Sequence, residues 1–218
     1  MQKIIKLLFI LLVVKPFVLL FLGLNIVNRR KINSIGPNII VANHNSHLDT
    51  MVLLSLFPLS YVHNVRPVAA HDYFFKNKLL AWFSLNCLGV IPIKRGKASS
   101  VDSIFSQCHK ALSEGETLII FPEGTRGDPE SVSKIKKGVY YLVKNRDDVS
   151  VIPVVMHGLG KSLPKGEALF VPFNCDVIIG EPLEKLISST HFVQQLQEQF
   201  SIMLEQCVTR NDKMCQAD

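Results

Sequence analysis

Two short clusters of polar residues hold the side chains that could do chemistry, and each follows an apolar run. The first cluster is Asn43-His44-Asn45-Ser46-His47-Leu48-Asp49, after the run from Asn38 to Ala42. A neutral imidazole can take a proton from a substrate when a carboxylate fixes its other nitrogen. On a continuous helix, five residues would put His44 and Asp49 about 140° apart. The spacing therefore predicts a general base in a strand-to-helix turn, with Asp49 in the first helical turn.

The same residues also allow two other interpretations. Ser46-x-x-Asp49 is a capping-box pattern, in which Asp49 would only cap the helix. His44, His47 and Asp49 could together bind a metal, but their spacing matches no strong metal-site pattern, and no other His or Cys cluster joins them. We therefore expect no metal and no bound cofactor.

The second cluster is Phe121-Pro122-Glu123-Gly124-Thr125-Arg126, after the run from Thr117 to Ile120. Arg126, and Arg95 further upstream, each follow a strand pattern beside a glycine, where a guanidinium can bind a phosphate through two parallel hydrogen bonds. For each arginine taken alone, a solvated surface residue is the default interpretation, and a structural ion pair between Glu123 and Arg126 is equally possible. Gly124 leaves the backbone open to close approach of a ligand.

The segments between the clusters alternate between strand and helix patterns. Strands are expected at 39–42, 66–70, 89–93, 117–121 and 151–155, and an antiparallel pair is expected within 168–179. Helices are expected at about 46–56, 73–88, 101–113, 135–145 and 192–208. This alternation predicts an α/β fold, with a single mostly parallel sheet flanked by helices on both faces. The two polar clusters should then lie on loops at one edge of the sheet.

The composition of the chain indicates which kinds of binding partner are expected. The chain has 218 residues, a size typical of one domain, and a net charge of +6 with 48% apolar residues. A basic and apolar chain favours an anionic membrane surface. The sequence has no Lys/Arg stripe interleaved with exposed aromatics, so we expect no nucleic-acid partner. The five cysteines form no CxxC pair, which favours free thiols in a reducing compartment over disulfides or zinc.

The amino-terminal segment from Ile4 to Val27 is almost wholly apolar. A cleaved signal peptide is one interpretation, but the basic run at 28–31 follows where a small-residue cleavage site should be. A spanning helix is another, at a cost of about 3 kcal/mol for Lys15 near its middle. We favour one or two helices embedded in one leaflet, with flanking basic residues at the lipid head groups. These basic residues are Lys3, Lys6, Arg29, Arg30 and Lys31. We accordingly expect a membrane-embedded helical segment at 1–35, the α/β domain at 36–210 and a frayed tail at 211–218.

Together the motifs resemble the glycerophospholipid acyltransferases, the family of the 1-acyl-glycerol-3-phosphate acyltransferases. His44 and Asp49 match the HxxxxD part of the family's first motif. Residues 89–95, 121–126 and 151–154 match the second, third and fourth motifs, in the family's order. The resemblance covers roughly residues 38 to 160.

The resemblance implies an O-acyltransferase of phospholipid biosynthesis at a membrane. It would move a fatty acyl group from an acyl-CoA or acyl-carrier-protein thioester, its co-substrate, to the hydroxyl of a lysophospholipid. The leading acceptor is 1-acyl-glycerol-3-phosphate, which gives phosphatidic acid. By the same resemblance His44 and Asp49 would be catalytic. The residues implied to bind substrate are Arg95, Glu123, Gly124, Thr125 and Arg126.

Some features leave alternatives open. Residues 71–75, Lys94 and Gly127 depart from the commonest forms of the family, so a different lysolipid acceptor is possible. A membrane thioesterase or lysolipid hydrolase could use the same base on water, and a catalytically silent lipid-binding module could share the fold. The compact chain favours a bacterial inner-membrane enzyme that faces the cytoplasm.

Overall fold

The computed structural model describes residues 2–33, 36–74, 77–93, 101–127, 132–162, 173–184 and 188–211. The strands are β1 (Gly23–Val27), β2 (Asn38–Ala42), β3 (Val65–Ala70), β4 (Ile91–Ile93), β5 (Thr117–Ile120), β6 (Ser150–His157) and β7 (Asn174–Ile179). The helices are α1 (Gln2–Phe9), α2 (Lys15–Phe21), α3 (Asp49–Ser55), α4 (His71–Phe74), α5 (Lys78–Phe83), α6 (Val101–Ile104), α7 (Ser106–Ser113), α8 (Gly138–Val143), α9 (Leu159–Ser162), α10 (Ser189–Glu205) and α11 (Val208–Asn211).

The described strands form one mixed sheet in the order β1-β7-β6-β2-β5-β3-β4. Neighbouring strands are parallel except β6 and β7, which are antiparallel. The expected fold class, a mostly parallel sheet with flanking helices, is confirmed. The antiparallel pair expected within 168–179 lies partly outside the described residues. In the described part, β7 pairs with β6.

The two faces of the sheet bury separate cores because successive strand residues point to opposite faces. On β2, Ile40 and Ala42 belong to the cluster that packs against α1, α2 and α3, which we call the α1 face. Ile39 and Val41 belong to the cluster that includes residues of α7, α8 and α10, which we call the α8 face. All five residues of β2 are buried, as expected for a strand covered on both sides.

The amino terminus forms one continuous helix, Gln2–Phe21, in which a wider π-helical stretch (Ile10–Val14) joins α1 to α2. Its buried residues recur every four positions and end at Leu22, just beyond the helix: Lys6, Ile10, Val14, Val18 and Leu22. A regular α-helix would rotate such a spacing steadily out of line, and the wider π turn offsets this rotation. Most of the remaining helix surface is apolar, and Leu8, Leu12 and Leu19 on it are exposed. By length and composition, this helix could cross a membrane.

Two details of this region differ from the sequence-based expectation. The helix ends at Phe21, and β1 follows as an edge strand that pairs in parallel with β7. Lys6, expected at the lipid head groups, is instead 3% exposed, and its Nζ donates to the carbonyl oxygen of Val65. The division of the chain at residues 35 and 36 stays a prediction.

A second polar group lies at the amino ends of β3 and β5, the sheet edge opposite to the two motif clusters. Arg66 Nε donates to the Gly89 carbonyl at 2.7 Å. Its Nη1 lies 3.5 Å from Oε2 of the buried Glu116. Burial and the nearby Arg66 charge lower the pKa of Lys6 to about 7, against the opposing effect of Glu116. Through Lys6, this group adds a polar contact to the apolar packing of the amino-terminal helix on the domain.

Candidate active site

The first polar cluster begins where β2 leaves the sheet, and Asn43 fixes the point of departure. Its side-chain Nδ2 donates to the Met156 carbonyl at 2.8 Å, and its Oδ1 accepts from the Met156 amide at 2.7 Å. The Asn43 side chain thus continues the pairing of β2 with β6 in place of backbone. The sequence alone does not indicate this role of Asn43, since nothing local to it points to a partner 113 positions away.

His44 and Asp49 meet as their spacing requires. Nδ1 of His44 lies 2.8 Å from Oδ2 of Asp49, the first residue of α3. The same Oδ2 accepts from the amides of Asn45 at 2.8 Å and Ser46 at 2.9 Å. Capping the turn and orienting the imidazole are therefore not alternatives, because one carboxylate oxygen does both. Asp49 Oδ1 is buried and has no hydrogen-bond partner among the described residues.

The orientation of the His44 ring is fixed from two sides. Because an ionised carboxylate only accepts, Nδ1 must donate to Asp49, and a neutral ring then presents Nε2 as its acceptor. The ring stacks on Phe121, with centroids 4.0 Å apart and planes 17° apart. Its side chain stays 20% exposed while that of Asp49 is 1% exposed. This is the arrangement of a base that is buried on its orienting side and accessible to a substrate.

Glu123 joins the second cluster to the first. It is 2% exposed, its Oε1 accepts from the His44 amide at 2.8 Å, and its Oε2 accepts from the Ser133 amide at 2.9 Å. The Gly127 amide donates to the His44 carbonyl at 2.9 Å. Both backbone polar groups of His44 are therefore bonded to the second cluster. The substrate contact implied for Glu123 stays a prediction, and this geometry favours a positioning role.

Gly127 approaches this junction too closely for a side chain. A Cβ there would lie 2.6 Å from Ser133 Oγ and 3.1 Å from Glu123 Oε2. The sequence marked Gly127 only as a departure from the commonest family form, and its close approach becomes visible only once these segments are brought together.

The rest of the second cluster forms a turn beside His44. Gly124 has φ of 73°, which favours glycine, and its amide donates to the Phe121 carbonyl at 3.0 Å. Thr125 is exposed. Arg126 Nη1 donates to Nε2 of His47, which ties the guanidinium to the first cluster. Arg95 lies outside the described residues.

His47 makes a contact with Arg126 that the sequence did not predict. A guanidinium can only donate, so His47 must be neutral to accept from Arg126. Partial burial, followed by the Arg126 and His44 charges, lowers the pKa of His47, against the opposing effect of Asp49. The neutral form is thereby favoured.

Metal ligation can be considered only for the described ranges, in which no three His, Cys, Asp or Glu side chains converge. The expected absence of a metal stays a prediction.

Comparison with known proteins identifies the family of the domain. The acyltransferase family model matches residues 23–157. A chloroplastic 1-acyl-sn-glycerol-3-phosphate acyltransferase of Arabidopsis thaliana is 31% identical over 149 residues, covering 67% of this chain and 39% of the relative. The alpha form of the human 1-acyl-sn-glycerol-3-phosphate acyltransferase is 27% identical over 150 residues, covering 67% of this chain and 50% of the relative. The chain thus spans about two fifths to one half of the length of these relatives.

The fold also has a solved counterpart. The crystal structure of the 1-acyl-sn-glycerophosphate acyltransferase from Thermotoga maritima aligns with a TM-score of 0.73 and 24% identity, covering 93% of this chain and 80% of that one. At this identity the likeness shows a shared fold.

Proposed function

This chain belongs to the acyltransferase family, and we propose that it transfers a fatty acyl group from a thioester to the free hydroxyl of a lysophospholipid. The leading acceptor is 1-acyl-glycerol-3-phosphate. The observation that carries the proposal is the His44–Asp49 pair, bonded at 2.8 Å at the carboxyl edge of the sheet. The curated relatives, which are 1-acyl-sn-glycerol-3-phosphate acyltransferases by name, support the choice of acceptor.

In the proposed reaction His44 acts as a general base. Nε2 takes the proton of the acceptor hydroxyl as its oxygen attacks the thioester carbonyl, and Asp49 stabilises the imidazolium that forms. The new C–O ester bond forms and the C–S bond breaks. The proton then passes from His44 to the departing thiolate, so the products are an acylated lipid and a free thiol. No cofactor takes part, and the donor thioester, on coenzyme A or a carrier protein, is a co-substrate.

The phosphate of the acceptor would be bound by Arg126, with Arg95 as a second ligand and the Gly124–Thr125 turn beside them. Arg126 supports this role because its bond to His47 already holds the guanidinium next to the His44 loop. Glu123 would act indirectly, since its two oxygens bind backbone amides.

The amino-terminal helix would embed the protein in one leaflet. Its exposed apolar side is extended by Leu79, Leu80 and Trp82 of α5. Phe9 and Phe83 join the two helices edge to face, with centroids 5.1 Å apart. The domain packs along this helix. If the helix crossed the bilayer, the domain would be drawn into the hydrocarbon, whereas a helix that lies in the plane of the membrane leaves the domain in water. We place the enzyme at the cytoplasmic face of a bacterial inner membrane, where lysophospholipid is within reach.

One assay tests the reaction. Purified full-length protein is incubated with a labelled acyl thioester and a panel of lysolipids, and the lipid products are separated. Acylated 1-acyl-glycerol-3-phosphate is expected. Free fatty acid without acylated lipid would show a hydrolase, and neither product would show a binding module.

His44→Ala should abolish turnover while leaving the protein folded, because the bonds of the His44 backbone to Glu123 and Gly127 remain. His109→Ala, a half-buried histidine on α7, is the matched control and should keep full activity. Substantial turnover by the His44→Ala variant would refute the mechanism. Flotation with vesicles before and after a carbonate wash tests the membrane contact, and release by salt alone would refute an embedded helix.

A further inference from the structure

The segment around α8 has a strong positive charge. From Val132 to Arg146 the sequence contains five basic residues and no acidic one, and two exposed aspartates, Asp147 and Asp148, follow directly. Four of the five are exposed lysines, which we call the α8 basic surface: Lys134, Lys136, Lys137 and Lys144. Within the described part of the chain none of these four forms an ion pair, whereas Arg146 pairs with Asp148 at 2.6 Å.

This surface begins next to the candidate active site. The Ser133 amide donates to Glu123, and the Lys136 amide donates to the Pro122 carbonyl at 2.9 Å. Ile135 is 3% exposed and packs into the α8 face, so the lysines on either side of it point outward. The basic surface therefore starts at the loop that holds the His44 backbone.

The surface also faces away from the proposed membrane contact. Helix α8 packs inward through Val139, Leu142 and Val143, on the side of the sheet that buries Ile39 and Val41. The exposed apolar helix α1–α2 lies on the opposite side of the sheet. A bilayer that contacts the α1 face leaves α8 in water, so the partner of these lysines comes from the aqueous phase.

We propose that the α8 basic surface docks an acidic carrier protein that delivers the acyl chain as a thioester. The inference rests on the proposed function and names its donor. Sites for small phosphate-bearing molecules typically use concave pockets and arginine forks. Lysines spread over an exposed surface instead act as point charges that steer and orient an acidic protein surface.

Tyr141 adds a contact suited to a protein partner. It is 36% exposed and lies one helical turn from both Lys137 and Lys144, with Lys144 Nζ 5.7 Å from its ring centroid. Exposed tyrosines are enriched at protein–protein interfaces. After transfer the carrier leaves as its free thiol, carrying the proton that His44 took from the acceptor.

The test compares two donors that carry the same acyl chain, acyl-CoA and an acyl-carrier protein. In the Lys137→Glu/Lys144→Glu variant, kcat/KM with the carrier protein should fall about tenfold or more at low salt. With acyl-CoA, kcat/KM should change less than about twofold. The substitutions remove the steering of a protein surface and leave the reacting groups unchanged. The difference between donors should shrink as salt is added. The Lys110→Glu/Arg210→Glu variant makes the same charge change at two other exposed sites and should leave both donors unaffected.

Three outcomes would overturn the inference. An equal fall with both donors would show that the surface binds the phosphates of coenzyme A. Lost flotation with phosphatidylglycerol vesicles and unchanged carrier kinetics would show a membrane contact. No change in any measurement would show a solvated surface.

Binding separates this inference from the proposed function. Fluorescence anisotropy of a labelled acyl-carrier protein with the His44→Ala protein requires no turnover. Carrier binding that the two α8 substitutions abolish supports the inference even if no lipid is acylated. Acylation from acyl-CoA without carrier binding refutes the inference and leaves the proposed function intact.

Discussion

Glu123→Gln tests whether this buried carboxylate positions His44 or binds the acceptor. Glutamine keeps the shape and one acceptor oxygen, but its NH2 group must face an amide donor, either of His44 or of Ser133. One hydrogen bond to a charged group is lost and one buried N–H is left unpaired, at a cost of about 2–3 kcal/mol. That is a large part of a typical stability of about 5–15 kcal/mol, yet the variant should fold. Alanine would remove both bonds and is less informative.

The kinetic effect follows from the two bonds to the His44 backbone. With the Glu123 contact weakened, the His44 backbone is held mainly by the Gly127 amide, which donates to the His44 carbonyl at 2.9 Å. A displacement of about 1 Å can cost about 10²-fold in rate. We expect kcat to fall about 10- to 100-fold while KM for the lysophospholipid stays within about twofold.

The control is Glu116→Gln, a buried glutamate just before β5, at the opposite edge of the sheet and 3.5 Å from Arg66. It should lose stability with little change in kcat. Steady-state kinetics with lysophosphatidate and unfolding in denaturant give both quantities. A large rise in KM at unchanged kcat would show that Glu123 contacts the acceptor, as the family resemblance implies. An equal fall of kcat in both variants would show general destabilisation.

Two further substitutions test the surroundings of the site, and a third tests the polar group at the opposite edge of the sheet. Gly127→Ala should cost about 1–3 kcal/mol and lower kcat, since its Cβ would lie 2.6 Å from Ser133 Oγ; thermal unfolding should show partial recovery when Ser133→Ala is added. The pKa of His47 is lowered in the folded protein, and at a pH below it the ring gains a proton and loses its bond to Arg126. The KM for the acceptor should therefore rise at acid pH in the wild type. In the His47→Gln variant this rise should be absent. Lys6, with its pKa lowered from 10.5 to about 7, binds fewer protons when folded than when unfolded between these values. Unfolding free energy relative to Lys6→Met should therefore rise between about pH 7 and 10, by a few kcal/mol, and stay constant below pH 7.

The sequence could predict what depends on local pattern. The apolar runs before His44 and Glu123 gave the strands β2 and β5, and the five-residue spacing gave the His44–Asp49 contact. It could not predict the contacts of Asn43 with Met156 or of His44 with Glu123, which span 113 and 79 positions. Such contacts depend on which strands are neighbours, and the alternation of strand and helix patterns does not fix that order. Whether Arg95 joins the site stays a prediction.

The amino terminus was the least predictable part because its apolar run has no break between helix and strand. In the sequence, residues 23–27 continue the apolar segment, yet in the structure they pair with β7 about 150 positions away. A contact between polar side chains, Asn25 Nδ2 to Asp176 Oδ1 at 2.7 Å, accompanies that pairing. Likewise, nothing in the residues flanking Lys6 indicates that its partner is the Val65 carbonyl.

The position of β2 explains how one site could serve a lipid and a water-soluble donor. This strand is fourth of the seven described strands, between β6 and β5, and its alternate residues support both faces of the sheet. The loop at its end therefore lies on the boundary between the α1 face and the α8 face. An acceptor would reach His44 from the bilayer side and a carrier-bound thioester from the aqueous side, so neither substrate would have to cross the path of the other. A single base on the loop after the central strand suits this geometry because it must contact only the hydroxyl and the thioester, where the two paths meet.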